Sequence, residues 1–175
     1  MGKVNLIAEL CQNHLGDLSI VEEMIHAAKE NGADYVKIQS MRSRDLNFRE
    51  RFEKGLIEGG TIKCKKRPFN HEFQRLKNLD LTSDEHFKFL ELCQKYKIKP
   101  MTTIFSRNRI NLIKQMNLEY LKISCFDCSS IALIQDVVKR VKSNLIVSTG
   151  GAYDREIIET AKLLKLFKKN LYYFI

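Results

Sequence analysis

Six short apolar, β-branched runs spaced along the chain limit its fold more than any other feature. They are "VNLIAEL" (4–10), "DYVKIQ" (34–39), "KPMTTIF" (99–105), "YLKIS" (120–124), "NLIVST" (144–149) and "NLYYFI" (170–175). Runs this continuously apolar read as strands buried on both faces, which is the habit of parallel sheets. Helical patterns separate them. "SIVEEMIHAAKENG" places Ile20, Met24, Ala27 and Ala28 on one face and stops at Gly32, a C′ glycine. "LTSDEHFKFLELCQKYKIKP" opens with Thr82 and Glu85 at capping-box spacing and buries Phe87, Leu90 and Cys93. Ser106 is placed to cap "RNRINLIKQM", and Asp154 starts the helix through "REIIETAKLLKLF". This βαβα order predicts an α/β fold, either a (β/α)8 barrel or an open doubly wound sheet. About six strands are countable where a barrel needs eight. Residues 41–80, with "EGG", a basic run and Pro68, lengthen the connection after the second strand.

Composition narrows the class. A chain of 175 residues, 44% hydrophobic and 29% charged with two prolines, is expected to be one soluble globular unit. It has no basic-then-apolar leader pattern and no run of 18 apolar residues, so no membrane partner is expected and the cytoplasm is the expected location. Five scattered cysteines then read as reduced thiols. The net charge is +9; residues 1–40 carry −3, and the excess begins in "MRSRDLNFRERFEKG" and "TIKCKKRPFNHEFQRLK". No aromatic-interleaved basic strand accompanies it, so nucleic acid is not the expected partner. No GxGxxG or GxxxxGK[ST] follows a strand, which argues against a nucleotide fold.

Polar residues collect at the carboxyl ends of the expected strands, where parallel α/β folds place their chemistry. Glu9 ends the first, Lys37 and Gln39 the second, Lys122 and Ser124 the fourth and Ser148 the fifth, with Thr102 and Thr103 in the third. A lysine in a buried strand is costly unless it meets an anion or a carboxylate. Two at matching positions of different strands point to a shared anion site, completed by Thr103, Ser148 and the "STGG" amides. Snorkelling of both lysines out of the sheet is the bland alternative. His14 reads as a loop-capping or site-shaping residue, while His26, His71 and His86 read as solvated. Cys125 and Cys128 have redox spacing without a second pair and read as incidental thiols.

These residues carry a resemblance. "IAELCQNHLGDLSIVEEMIHAAKENGADYVKIQ" resembles the opening of the sialic acid synthases, AEI-x-x-NH-x-G running through a helix into GAD-x-VK-x-Q, and "TTIFS", "YLKIS" and "LIVSTGG" resemble their later strands. The resemblance implies a TIM-type (β/α)8 barrel, here truncated after about six strands, over residues 1–175 with an insertion at about 41–80 and without the family's C-terminal antifreeze-like domain. It implies condensation of phosphoenolpyruvate with a 2-acetamido sugar aldehyde to give a nonulosonic acid and phosphate. Glu9, Lys37 and Lys122 would be catalytic. Lys37, Thr103, Lys122, Cys125 and Ser148 would hold phosphoenolpyruvate, and Gln39 and Asp127 would face the sugar. Cys125 stands where relatives usually have serine, and Asp127 where they have glutamate. A divalent metal, manganese or magnesium, is implied, with its ligands outside these 175 residues. An unclosed barrel exposes strand edges, so association into a homo-oligomer is expected. The alternative is a non-catalytic, degenerate barrel fragment that keeps an anion pocket or an interaction surface.

Overall fold

The computed structural model of the chain describes residues 4–167 and 171–174. Its strands are β1 (Ile7–Cys11), β2 (Tyr35–Ser40), β3 (Leu56–Glu58), β4 (Thr61–Cys64), β5 (Lys99–Ile104), β6 (Tyr120–Ile123), β7 (Asn144–Ser148) and β8 (Leu171–Phe174). Each of the six expected runs contributes a strand. Residues 170 and 175 of the last run lie outside the described residues.

Strands β1-β2-β5-β6-β7-β8 form one sheet in chain order, every neighbouring pair parallel. A doubly wound sheet reverses its strand order at a switch point, and this one does not. Of the two architectures the periodicity left open, the singly wound order of a barrel is the one present. Among the described residues the sheet is open, with β1 and β8 at its edges; closure into eight strands is not seen in them.

The crossover helices are α1 (Leu18–Glu30), α4 (Ser83–Lys95), α5 (Ile110–Met116), α6 (Ile131–Arg140) and α7 (Asp154–Leu166). Their ends follow local chemistry. Asp17 accepts the Ser19 N–H at 2.7 Å to start α1, and Thr82 and Glu85 form the expected reciprocal capping box on α4. Asn117 takes the left-handed conformation that ends α5, one of the few side chains that tolerates it. Residues 41–80 supply α2 (Glu50–Lys54), the antiparallel β3–β4 hairpin and α3 (Phe69–Lys77).

Strand residues alternate between two faces. Val36, Ile38, Leu121, Ile123, Leu145 and Val147 pack under the helices with Val21, Ile25, Phe89, Ile113, Ile134 and Leu164. Each such large side chain contributes about 1.5–3 kcal/mol of apolar burial. The opposite face carries only a small cluster, Tyr35, Met101 and Ile146, backed by Ile7 and Tyr120. Beyond that cluster this face turns polar.

The buried stripes of α1 and α4 differ from the expected ones. Val21 and Ile25 are the fully buried residues of α1. On α4 they are His86, Phe89, Leu92 and Cys93, with Phe87 and Leu90 half-buried. Both helices are apolar around much of their girth, so period alone left the rotation off by about one residue.

Candidate active site

Polar positions of the inner face meet at the carboxyl ends of β1, β2, β5 and β6. Glu9 pairs in register with Lys37, and Gln39 with Thr103, which in turn pairs with Lys122. Lys37 is 3% exposed. Its ammonium forms an ion pair with Glu9 and donates to Thr103 Oγ1 at 3.0 Å. Burial pushes the Lys37 ammonium below its ordinary range; Glu9 pulls it back up, and the charge of Lys122 works against it. Lys37 therefore does not snorkel. An ammonium has three donors, and Glu9 and Thr103 engage two.

A bulge interrupts the β1–β2 register between Glu9 and Cys11. Cys11 sits there at φ 51, and its backbone N–H donates to Glu9 Oε1 at 3.0 Å. Its Sγ accepts from Gln39 Nε2 at 3.7 Å. Burial and the Glu9 carboxylate push this thiol up, against the two lysines. Cys11 escaped the sequence reading because the bulge turns it out of the strand's simple alternation.

The remaining expected residues surround this centre. Lys122 is half-buried and Ser148 ends β7. Cys125 and Asp127 lie in a single 3₁₀ turn directly after β6, where Ser124 Oγ accepts the Phe126 N–H at 3.2 Å. All five cysteines are free thiols. Gln39 and Asp127 help to line a groove of about 680 Å³ whose other wall is the 41–80 segment. Burial pushes the Asp127 carboxyl up, partly offset by Ser124, Ser130 and the charge of Arg49. The structure thus joins Glu9, Lys37 and Thr103 by direct contact and puts Gln39 and Asp127 on one groove; Cys125 is not part of that groove's lining.

His86 corrects the sequence reading. It is fully buried, not solvated. Its Nε2 lies 3.0 Å from Ser40 Oγ and its Nδ1 2.7 Å from the Thr82 carbonyl. Burial, reinforced by the guanidinium of Arg109, pushes it down to about 4. Arg109, also buried, donates to Ser40 Oγ at 3.2 Å and reaches His86 at 3.1 Å. Neither Ser40 nor Arg109 was singled out by sequence. Helical spacing from His86 to Phe89 and Cys93 was the available signal. His14 does cap its loop: its Nδ1 accepts the Gly16 N–H at 3.0 Å. Gly16 has φ +81, and a Cβ there would stand 2.4 Å from the Asn78 carbonyl oxygen, so only glycine fits.

No three His, Cys, Asp or Glu side chains among the described residues are grouped to hold the implied divalent metal, so these residues do not fit a metal centre by themselves.

A parallel α/β scaffold with its cationic and hydroxyl groups at the strands' carboxyl ends is the class defined by this fold and site. The chain belongs to the NeuB family, whose profile matches residues 24–173. It is 31% identical over 160 residues to the N,N'-diacetyllegionaminic acid synthase of Legionella pneumophila subsp. pneumophila, covering 90% of this chain and 43% of that protein. Identity to the pseudaminic acid synthase of Helicobacter pylori is 26% over 160 residues, covering 91% and 45%. The crystal structure of N-acetylneuraminic acid synthetase from Leptospira borgpetersenii serovar Hardjo-bovis, in complex with citrate, superposes with a TM-score of 0.82 at 25% identity, covering 98% of this chain and 53% of that one. The chain therefore spans less than half the length of the curated relatives it matches. No helix among the described residues is long and apolar enough to cross a membrane.

Proposed function

We propose that this chain supplies the phosphoenolpyruvate half of a nonulosonic acid synthase site, acting on a 2-acetamido sugar aldehyde in the cytoplasm as part of a barrel whose edges are closed by further chain or by a second copy. The observation that carries the reading is the inner-face set of Lys37, Thr103 and Lys122 at adjoining strand ends.

The geometry supports a role for each residue. Lys37 keeps one donor for an incoming anion after serving Glu9 and Thr103. Lys122 faces the same volume with its charge uncompensated by any salt bridge among the described residues. Ser148 and Cys125 supply weaker donors at the flanks. Carbon 3 of phosphoenolpyruvate attacks the aldehyde carbon, water adds to carbon 2, and the tetrahedral intermediate expels phosphate. Fixed ammonium groups stabilise the charge carried by phosphate and carboxylate throughout. Glu9, held by the Cys11 N–H and by Lys37, is oriented to receive a proton from the attacking water. Gln39 and Asp127 hydrogen-bond the sugar hydroxyls.

The test is calorimetric titration with phosphoenolpyruvate. Lys122→Ala should weaken binding by about 1.5–3 kcal/mol, the value of a charged hydrogen bond. Unchanged affinity in that variant overturns the assignment.

A further inference from the structure

Two of the five thiols share a single turn that leads directly out of the lysine centre. Cys125 opens the 3₁₀ turn after β6, and Cys128 is the residue that ends it. The Cys128 N–H donates to the Cys125 carbonyl at 3.4 Å, and the Cα atoms across such a closed turn lie within about 7 Å. A disulfide bridges Cα separations of about 4.4–6.8 Å. Side chains at i and i+3 of a 3₁₀ turn eclipse one another, so both sulfurs project from the same side. The Cys128 thiol is pushed up by burial, then by Glu156 and by the charge of Cys125, in agreement with that proximity.

The other cysteines are accounted for singly. Cys93 is sealed in the core, its thiol pushed up to about 12. Cys11 Sγ accepts from Gln39, and Cys64 Sγ donates to the Arg51 carbonyl at 3.4 Å. Cys125 and Cys128 are both free thiols, and neither sulfur makes a hydrogen bond among the described residues. Exposure gives the pair an order. Cys125 is half-buried and meets reagents from solvent, whereas Cys128 is 1% exposed and stands behind it as a resolving thiol. Thr160 Oγ1 on α7 donates to the Cys128 carbonyl. That contact anchors the Cys128 end, so closure of a bridge is accommodated by Cys125.

Resting for its consequence on the phosphoenolpyruvate reading above, we propose that Cys125 and Cys128 form a modification site, a reversible dithiol–disulfide pair oxidised by a small disulfide such as glutathione disulfide, whose closure draws the Cys125 thiol away from phosphoenolpyruvate and weakens its binding. The Cys125 thiolate attacks one sulfur of glutathione disulfide, that S–S bond breaks, and one glutathione thiolate leaves. Cys128 then loses its proton to solvent and attacks the Cys125 sulfur, releasing the second glutathione. Two protein thiols are oxidised and one small disulfide is reduced to two thiols. Closing so short a loop removes little chain entropy, so reducing thiols reopen the bridge readily. Disulfides of this kind in reducing compartments are transient and sensing, not structural.

The test equilibrates the 175-residue chain in glutathione buffers, maps its cysteines by peptide mass spectrometry after thiol blocking, and titrates each form with phosphoenolpyruvate. The oxidised chain should carry a Cys125–Cys128 bridge with no glutathione attached. Raising total glutathione at a fixed ratio of its two forms should reopen that bridge, whereas a mixed disulfide would not respond. Phosphoenolpyruvate affinity should fall by about fivefold on oxidation, less than for a charged hydrogen bond because a thiol is a weak donor, and dithiothreitol should restore it. In Cys128→Ala, oxidation should stop at a glutathione adduct on Cys125. No bridge, or an adduct on Cys125 that persists in the parent, overturns the pair; the parent measurements stand whether or not the Cys128 variant folds. A bridge that leaves phosphoenolpyruvate affinity unchanged overturns the switch. Failure of the underlying reading looks different: the reduced chain would bind phosphoenolpyruvate no better than Lys122→Ala does, whatever the state of the thiols.

Discussion

Lys37 at the strand ends and Arg49 and Arg67 on the adjoining groove are all cationic, yet they are held in opposite ways. Lys37 is buried and already engaged by Glu9 and Thr103. The two arginines are exposed and lack ion pairs among the described residues. A buried charge has to be compensated as the protein folds, because nothing else offsets its desolvation. An exposed one is compensated by water and can wait for a ligand. The first kind of site is therefore part of the fold's stability, while the second is almost independent of it.

That contrast is broken or sharpened by removing compensation in each region. The largest effect is expected at Glu9→Ala, which leaves the Lys37 ammonium buried without its carboxylate; urea unfolding should show a loss of about 3 kcal/mol, the low end for a broken buried pair because Glu9 is partly exposed. Adding Lys37→Met should restore most of it. A loss unchanged in the double variant would show that Glu9 stabilises by another route.

The His86 network is a second compensated region, and its effect is read through pH. His86 is pushed down to about 4 when folded, against an ordinary 6.5. Between those values the unfolded chain binds the extra proton, so stability rises with pH. The contribution of neutral His86 is complete above pH 6.5 and is lost as pH falls through 4, amounting to about 3 kcal/mol. Denaturant midpoints measured across this window should fall less steeply for His86→Gln than for the parent. Identical slopes would remove His86 from the compensated set.

Gly16→Ala follows at about 2 kcal/mol, from a left-handed backbone and a Cβ pressed on the Asn78 carbonyl. Differential scanning calorimetry measures it. Smallest of all, Arg49→Ala or Arg67→Ala should move stability by no more than about 0.5 kcal/mol. A larger loss in either arginine variant would mean that the groove, too, is held together by its charges.

The same physics explains what was legible in the sequence. Apolar runs forced onto both faces of a parallel sheet announce themselves, and all six were placed. Lysines inside such runs stand out for the same reason, which makes Lys37 and Lys122 legible from sequence. Residues whose role depends on helix rotation or on a bulge were not. His86 looked solvated because α4 is amphipathic only weakly, and Cys11 was passed over because its placement depends on a one-residue slip. The groove was least legible of all. Its wall comes from the stretches on either side of the β3–β4 hairpin, through Glu53 before it and from Arg67 after it; the hairpin's exposed Leu56, Ile57 and Ile62 leave little apolar patterning to follow, and Arg49 and Arg67 come together only after that hairpin closes.

The position of the hairpin segment also bears on how the chain reaches this fold. Every other crossover in the central sheet joins strands through a single helix, as from Ile104 to Tyr120 or from Ile123 to Asn144. Pairing β2 with β5 instead means closing the span from Ser40 to Lys99, more than twice as long. Loop-closure entropy grows by about 0.6 kcal/mol per doubling of length, so this closure should lag the others severalfold in rate. As the chain leaves the ribosome, β1, α1 and β2 would wait as an unfinished edge until β5 arrives, and the 41–80 segment would then set the pace of assembly.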